Sequence, residues 1–191
     1  MRRLALLSFA CLPLLGACGA QPDDPPPVFE TQEPSGLTDS SFAQVGMVVE
    51  HPENWRLRRR EAPAVFELRS GESVIAAWAY PREEPLPEGD GELEAARERL
   101  VEAVEDRDPE YRLRRSAVTR VAGSPAIEIV GRQVIAERPV RIRSVHVFKG
   151  EIEYVIEAIA APADRAVVER RVLEPLLELL EIDGEVHEDA E

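Results

Sequence analysis

The chain has 191 residues, of which 44% are hydrophobic, 31% are charged and 5% are aromatic. A length and composition of this kind predict one folded domain with a hydrophobic core and exclude a wholly disordered chain. The formal net charge is -14, so we expect no nucleic-acid partner, because general nucleic-acid binding requires a basic surface.

Residues 1–17 have the pattern of a secretory signal peptide. Arg2 and Arg3 are followed by an apolar run over 4–15 and then by small residues, which is the order typical of such signals. The apolar run is shorter than the roughly 20 residues that span a bilayer. We therefore expect this segment to direct export and then to be removed, which predicts an extracytoplasmic protein.

The segment Leu15-Gly16-Ala17-Cys18 resembles the bacterial lipobox. In that family the cysteine is lipidated and the bond before it is cut, so the resemblance implies that Cys18 is the lipidated first residue of the mature chain. Fatty chains such as palmitate would then anchor the protein to a bacterial membrane, because two acyl chains are enough for stable anchoring. Cys11 leaves with the signal, so no internal disulfide is expected. An ordinary secretory signal with a chance cysteine is the alternative.

Two polar segments flank the predicted domain. The segment 18–40 begins at the expected lipidated cysteine and is rich in proline and acidic residues, which predicts an extended tether of about 3.1 Å per residue. A proline-rich ligand for a peptide-binding module is the alternative. The segment 183–191 is an acidic tail that contains His187. We expect it to be solvated; weak binding of a divalent cation is the alternative.

Residues 41–182 are predicted to form one α+β domain. Strands are expected at 42–50, 56–60, 64–70, 73–80, 111–121, 125–135, 139–148 and 151–160. Helices are expected at 91–106 and 163–182, with a kink or a division at Pro175, because proline removes a helical hydrogen bond. The apolar residues of 139–148 change parity, which predicts a bulge near Ser144. Short turns between successive strands predict an antiparallel β-sheet covered by the two main helices.

This order of elements resembles the PsbP-like superfamily, which is named for an extrinsic protein of the photosynthetic oxygen-evolving complex. The residues that carry the resemblance are Gly46–Trp55, Gly123–Glu128, Lys149–Tyr154 and Leu176–Leu180. The resemblance covers about 41–182 and implies an α/β/α sandwich. Members of the superfamily are mostly non-enzymatic binding or assembly factors. The resemblance therefore implies that this chain is also a non-enzymatic binding or assembly factor. The superfamily also includes a eukaryotic nuclear-transport factor. The photosynthetic and nuclear-transport roles do not transfer, because no functional residue of either is matched.

The sequence contains no catalytic signature. We find no nucleophile elbow, no zinc-binding His-Glu-x-x-His, no paired Cys-x-x-Cys and no phosphate-binding glycine loop. We therefore expect no enzyme, no cofactor and no metal site. The alternative is an envelope hydrolase or metal-dependent enzyme, which would be marked by a cleft where His51 or His146 meets two carboxylates.

Arginine at alternating positions of three predicted strands is the least ordinary feature of the domain. The candidate surface residues are Trp55, Arg56, Arg58, Arg112, Arg114, Arg141 and Arg143. If these strand faces align, they would suit an envelope protein or a small anionic ligand, because guanidinium groups bind carboxylate and phosphate. The alternative is cross-strand pairing with glutamates. Those glutamates are Glu67, Glu128, Glu151, Glu153 and Glu157.

Trp55, Trp78 and Tyr80 complete the candidate residues, and an exposed cluster of them would mark a ligand or partner surface. Trp78 lies in an apolar run and is expected in the core, and Trp55 is expected to cover one end of the sheet. The leading functional hypothesis is a membrane-anchored extracytoplasmic lipoprotein that acts as a non-catalytic binding or assembly module. A structural lipoprotein without a discrete pocket is a further alternative.

Overall fold

The structure is a computed structural model that describes residues 29–187. The signal peptide, Cys18, the first part of the tether and the last four residues of the tail lie outside the described residues. Within the described part of the chain, no helix has the length and apolar character needed to cross a membrane.

Residues 29–187 form two antiparallel sheets. The strands of the smaller sheet are β1 (Thr38–Phe42), β2 (Met47–His51) and β10 (Glu181–Ile182), with β2 in the middle. The strands of the larger sheet are β3 (Arg56–Arg59), β4 (Ala64–Ser70), β5 (Ser73–Pro81), β6 (Arg112–Val121), β7 (Ser124–Ile135), β8 (Arg138–Lys149) and β9 (Ile152–Ala160). Their order across the sheet is β3-β4-β5-β9-β8-β7-β6, so β3 and β6 are its edges.

Helices lie on both faces of the larger sheet. Helix α1 (Asp90–Arg107) packs mainly against β6 and β7 on one face. A π-helical segment (Ala166–Leu173) and helix α2 (Glu174–Glu178) cover the other face together with the smaller sheet. Two hydrophobic cores therefore flank the larger sheet. The predicted α+β fold, an antiparallel sheet between helices, is confirmed.

Strand β8 is regular, and the predicted bulge near Ser144 is wrong. Its pairing with β7 and with β9 continues without a shift in register. Val145 and Val147 belong to the core beneath the C-terminal helices, whereas Ile142 and Phe148 belong to the core beneath α1. A strand that is covered on both faces needs no alternation of apolar and polar residues. The change in parity therefore reflects two cores rather than a distorted strand.

The apolar run that predicted one strand over 42–50 contains a turn. A single 3-10 turn at Ala43–Val45 and the left-handed Gly46, with φ of 53°, reverse the chain between β1 and β2. Glycine adopts this conformation without the steric penalty of a Cβ atom. Phe42 consequently lies opposite Met47 across a hairpin.

The C-terminal helix is divided at Pro175, as predicted. The π-helical segment ends at Leu173, and Pro175 lies in the first turn of α2, where its missing N–H is not needed. The chain then extends, and Ile182 pairs with Met47 of β2 where the last helical turn was predicted.

Segments on both sides of 41–182 lie against the domain. The indole N–H of Trp55 donates to the carbonyl oxygen of Gln32 at 3.2 Å. The backbone N–H of His187 donates to the carbonyl oxygen of Gln44 at 3.0 Å. The folded part therefore begins before residue 41 and continues past residue 182, because these flanking residues satisfy polar groups of the domain.

The two-residue turn between β7 and β8 is conformationally strained. Ala136 and Glu137 have φ of 49° and 64°, the left-handed region in which Asn-Gly is the favoured pair. Replacing both together, Ala136→Asn with Glu137→Gly, is expected to raise the free energy of unfolding by about 1 kcal/mol. Urea denaturation measures the change. The control is Ala122→Asn in the β6–β7 turn, which already carries Gly123 and should gain less free energy of unfolding. An unchanged urea midpoint for the double variant would contradict strain in the β7–β8 turn.

Candidate functional site

A groove lies beside α1 because one helix cannot cover a sheet of seven strands. A helix with its side chains is about 10 Å wide, and neighbouring strands are about 4.8 Å apart. Since α1 lies over β6 and β7, the side chains of β5, most of those of β9 and His146 of β8 are only partly covered on this face. The cavity between α1 and these strands has a volume of about 610 Å³. We call it the α1 groove.

The α1 groove has apolar walls and a few polar groups. Its apolar walls include Trp78, Leu100, Val104, Ile129, Ile142, Val155 and Ile159, and its polar groups include Arg82, Arg107, Ser144, His146, Glu153 and Glu157. Such a mixture is typical of small-molecule sites, in which apolar walls supply affinity and a few polar groups fix orientation.

Ser144, His146, Glu153 and Arg82 form a hydrogen-bonded chain in the groove. Nδ1 of His146 lies 2.7 Å from Oε1 of Glu153, and Nε2 lies 3.4 Å from Oγ of Ser144. A carboxylate only accepts, so Nδ1 of His146 donates to Glu153. The Nε of Arg82 donates to Oε2 of Glu153 at 2.9 Å. The imidazole of His146 is thereby held in one orientation.

Glu153 is ionised at neutral pH. Burial opposes its ionisation, but hydrogen bonds from His146 and Arg82 outweigh burial and hold the pKa of Glu153 below its usual value of 4.5. The carboxylate therefore completes a charged contact with Arg82 beside the groove.

Glu157 occupies the same groove in a different environment. It lies on β9, opposite Ala76 of β5 and Ser144 of β8. Burial raises the pKa of Glu157, and the charges of Arg107 and His146 only partly oppose this rise. Within residues 29–187 its carboxylate accepts no hydrogen bond. The fold therefore holds a partly desolvated carboxylate without a bonded partner.

This environment predicts that Glu157 destabilises the fold at neutral pH. A carboxyl whose pKa is raised on folding destabilises the folded state above that pKa, and the effect disappears below the usual value of 4.5. Glu157→Gln is expected to raise the free energy of unfolding by about 1 kcal/mol at pH 7, with no gain near pH 4. Urea denaturation at both pH values measures this. The control is Glu151→Gln, because the side chain of Glu151 is exposed in the β8–β9 turn. If Glu157→Gln were less stable than the wild type at pH 7, the raised pKa of Glu157 would be contradicted.

The candidate arginines on the edge strands do not meet. Arg56 and Arg58 lie on β3, whereas Arg112 and Arg114 lie on β6, and the other five strands of the larger sheet separate the two edges. All four side chains are exposed. Trp55 is only 3% exposed and contributes to the core, so it offers no contact surface.

Arg141 and Arg143 face the C-terminal helices rather than the α1 groove. Arg141 pairs with Glu169 at 2.6 Å, and Arg143 pairs with Glu128 at 3.0 Å and with Glu174 at 3.2 Å. The contacts with Glu169 and Glu174 join β8 to the helical layer, and the contact with Glu128 joins β8 to the neighbouring strand β7. Cross-strand pairing with a glutamate, the alternative considered from the sequence, therefore describes Arg143, whereas the partner of Arg141 lies in the helical layer.

Other glutamates named from the sequence differ among themselves. Glu67 pairs with Arg60 and Arg69, as the pairing alternative expects. Glu157 forms no ion pair with any residue in the range 29–187. Glu151 forms no ion pair within this range either, but it is exposed in a turn, whereas Glu157 lines the α1 groove.

The sequence prediction for Trp78 is wrong, because this side chain is half-buried in the α1 groove and does not belong to the core. A signal was present in β5. The fully buried positions Ala77 and Ala79 are small, whereas Trp78 and Tyr80, on the opposite face, are large and half-buried. A strand with small residues on its covered face and aromatic residues on the other indicates an open aromatic surface.

The histidines have separate environments. His51 is buried on β2, with Nε2 2.9 Å from Oγ of Ser40 and Nδ1 3.1 Å from the carbonyl oxygen of Pro52. His146 contacts Glu153 and shares the α1 groove with Glu157, whereas His187 lies 2.8 Å from Asp183 near the end of the described residues. In the part of the chain that the structure describes, no three histidine, cysteine or acidic residues are grouped for metal binding.

Comparison with solved structures identifies proteins with the same fold. The solution structure of cyanobacterial PsbP (CyanoP) from Synechocystis sp. PCC 6803 matches with a TM-score of 0.59 and 10% identity, over 76% of this chain and 92% of that one. The crystal structure of LpqN, involved in cell envelope biogenesis of Mycobacterium tuberculosis, matches with a TM-score of 0.55 and 14% identity, over 78% and 91%. No protein-family model and no curated protein sequence matches. The PsbP-like fold that the resemblance implied is therefore confirmed.

Proposed function

We propose that this protein is a lipid-anchored, extracytoplasmic, non-catalytic module that binds a small amphipathic ligand in the α1 groove. The groove itself carries the proposal. Its volume of about 610 Å³ falls within the range of roughly 300–1,000 Å³ that is usual for ligand pockets. Apolar side chains form most of its walls, and the polar groups around His146 converge at one part of its floor.

The export signal and the lipobox-like segment support a location at the envelope. Leu15-Gly16-Ala17-Cys18 provides the cysteine for a lipid anchor. LpqN, which shares the fold, is involved in cell envelope biogenesis. Fractionation of bacteria that express the wild-type chain and Cys18→Ala tests the anchor. The wild type is expected in the membrane fraction and the variant in the soluble fraction; equal retention of both would contradict lipid anchoring.

Ligand binding is tested by closing the α1 groove. Ala95 and Ala103 are both exposed on α1, but only Ala103 lines the groove. Native mass spectrometry of protein purified from a bacterial envelope is expected to detect a bound small molecule in the wild type and in Ala95→Trp. Ala103→Trp is expected to lose it, because the indole fills the groove. Equal occupancy in the two variants would place the ligand elsewhere.

Hydrolysis is the second candidate, favoured by the order of Ser144, His146 and Glu153. A serine, a histidine and a carboxylate in this sequence of contacts resemble a nucleophile, its base and the group that orients the base. Binding ranks first for two reasons. The distance of 3.4 Å between Ser144 and His146 exceeds the usual range for such a pair. Ser144 also lies within paired strands, whose backbone N–H groups are engaged in the sheet rather than free to stabilise an oxyanion.

A fluorophosphonate probe distinguishes the two candidates. Such a probe modifies an activated serine and leaves an ordinary hydroxyl unmodified. We expect peptide mass spectrometry to find no probe adduct on the peptide that contains Ser144. The same peptide of Ser144→Ala, which lacks the hydroxyl, is the reference. Labelling of Ser144 that is lost in Glu153→Gln would favour hydrolysis.

A further inference from the structure

We infer that the ligand of the α1 groove is an amphiphile whose protonated amine, or other organic cation, contacts Glu157 and Trp78. This inference rests on the proposed function, since it names the chemical class that the groove would bind. The observations that carry it are the positions of the two side chains, the absence of a bonded partner for the carboxylate among residues 29–187, and the apolar wall beyond them.

Glu157 and Trp78 occupy diagonal positions on two paired strands. Trp78 of β5 lies opposite Val155 of β9, and Glu157 is two residues further along β9. Both side chains line the groove. Side chains at diagonal positions of antiparallel strands are about 7–8 Å apart at their backbones, which brings long and aromatic groups within reach of each other. A small cationic group between them would contact an aromatic ring and a carboxylate together.

Glu157 lacks the partner that a cationic ligand would supply. Within residues 29–187 no donor forms a hydrogen bond with its carboxylate. Arg107 lines the groove but is exposed, and its charge acts on Glu157 only at a distance. An ammonium group would form a charge-assisted hydrogen bond to this carboxylate, the stronger class of hydrogen bond.

The arginines of the groove are less suited to an anion. Arg82 already donates to Glu153 at 2.9 Å. Arg107 is on the last turn of α1, where its charge is screened by water. The partly buried charge that remains without a bonded partner is therefore negative, and it selects a positive group.

The apolar wall accounts for the second half of the ligand. Ile142 and Ile159 are paired across β8 and β9 beyond Glu157, and Leu100 and Val104 face them from α1. Ile135 at the end of β7 extends this surface to the outside and is 41% exposed. A ligand with a cationic head at Glu157 and an apolar chain along this wall would cover both surfaces.

Isothermal titration calorimetry with three eight-carbon probes tests the inference on the protein as expressed. At pH 7 octylammonium is expected to bind at least tenfold more tightly than octanol or octanoate. Glu157→Gln is expected to weaken octylammonium binding about tenfold and to leave octanol binding unchanged. The matched control Glu151→Gln, an exposed glutamate in the turn before β9, should bind all three probes as the wild type does. Octylammonium binding should also weaken as the pH falls toward 4.5, because Glu157 then becomes protonated.

The outcomes separate the inference from the proposed function. If octanol or octanoate binds as tightly as octylammonium, the groove still binds ligands and the assignment of a cation is overturned. A preference for octylammonium that survives Glu157→Gln would overturn the role of this carboxylate. If none of the three probes binds, the proposed groove function is overturned together with the inference.

Discussion

Glu153→Ala is expected to lower the free energy of unfolding by about 3 kcal/mol at pH 7. The Glu153 side chain is 6% exposed and accepts hydrogen bonds from His146 and Arg82. Its removal leaves the imidazole of His146, which is 12% exposed, without a partner for Nδ1. Arg82 is about half-exposed and contributes less, because water replaces part of its contact.

This loss should depend on pH in a defined direction. The pKa of Glu153 is lowered by folding, so its contribution to stability is present above pH 4.5 and is lost as the pH falls through the folded-state pKa. The difference in free energy of unfolding between the wild type and Glu153→Ala should therefore become smaller at acid pH. Urea denaturation at pH 7 and near pH 3 measures it, with Glu151→Ala as an exposed control. A difference of equal size at both pH values would show that the ionised carboxylate is not its source.

Glu128→Ala is expected to lower the free energy of unfolding by about 3 kcal/mol, because it leaves Arg143 buried without its closest partner. The side chains of Arg143 and Glu128 are 13% and 11% exposed, and their atoms lie 3.0 Å apart. Within the described residues, Nε of Arg143 has no hydrogen-bond partner, so the remaining contact with Glu174 cannot satisfy the guanidinium.

Glu174→Ala provides the comparison for Glu128→Ala. The Glu174 side chain is 47% exposed, and its loss is expected to change stability by less than about 1 kcal/mol, as for other surface ion pairs. Thermal and urea denaturation of both variants measure the difference. Equally small effects would mean that Arg143 needs no internal partner, and would restore it as a candidate for ligand binding.

The strands of the larger sheet and the helices that cover it could be predicted, because the spacing of their apolar residues depends on local geometry. The turn glycines and the alternation in β9 were sufficient to place the last strand of the larger sheet, Ile152–Ala160. The hairpin of β1 and β2 was missed because its apolar residues run through the turn at Gly46. The bulge in β8 was predicted from the change in parity alone, because local sequence does not state which of the two cores each apolar residue of the strand joins.

The candidate site was less predictable because it depends on where α1 lies. Sequence reasoning named His146 as a residue that would mark a cleft if carboxylates met it, and the structure places it beside Glu153. Sequence reasoning could not distinguish the environments of Glu151, Glu153 and Glu157, which occupy equivalent alternating positions in the sequence. The first is exposed in a turn, the second is ion-paired, and the third opens into the groove. These differences arise from cross-strand neighbours and from the width of sheet that one helix leaves uncovered.

The two tryptophans allow the most direct test of ligand binding in the α1 groove. Trp78 lines the groove, whereas Trp55 is buried on the other side of the molecule, with its indole N–H bonded to Gln32. In a two-dimensional ¹H–¹⁵N spectrum of the labelled protein, saturation with octylammonium is expected to shift the indole resonance of Trp78 and to leave that of Trp55 in place. An unchanged Trp78 resonance, or equal shifts of both, would contradict ligand binding in the α1 groove.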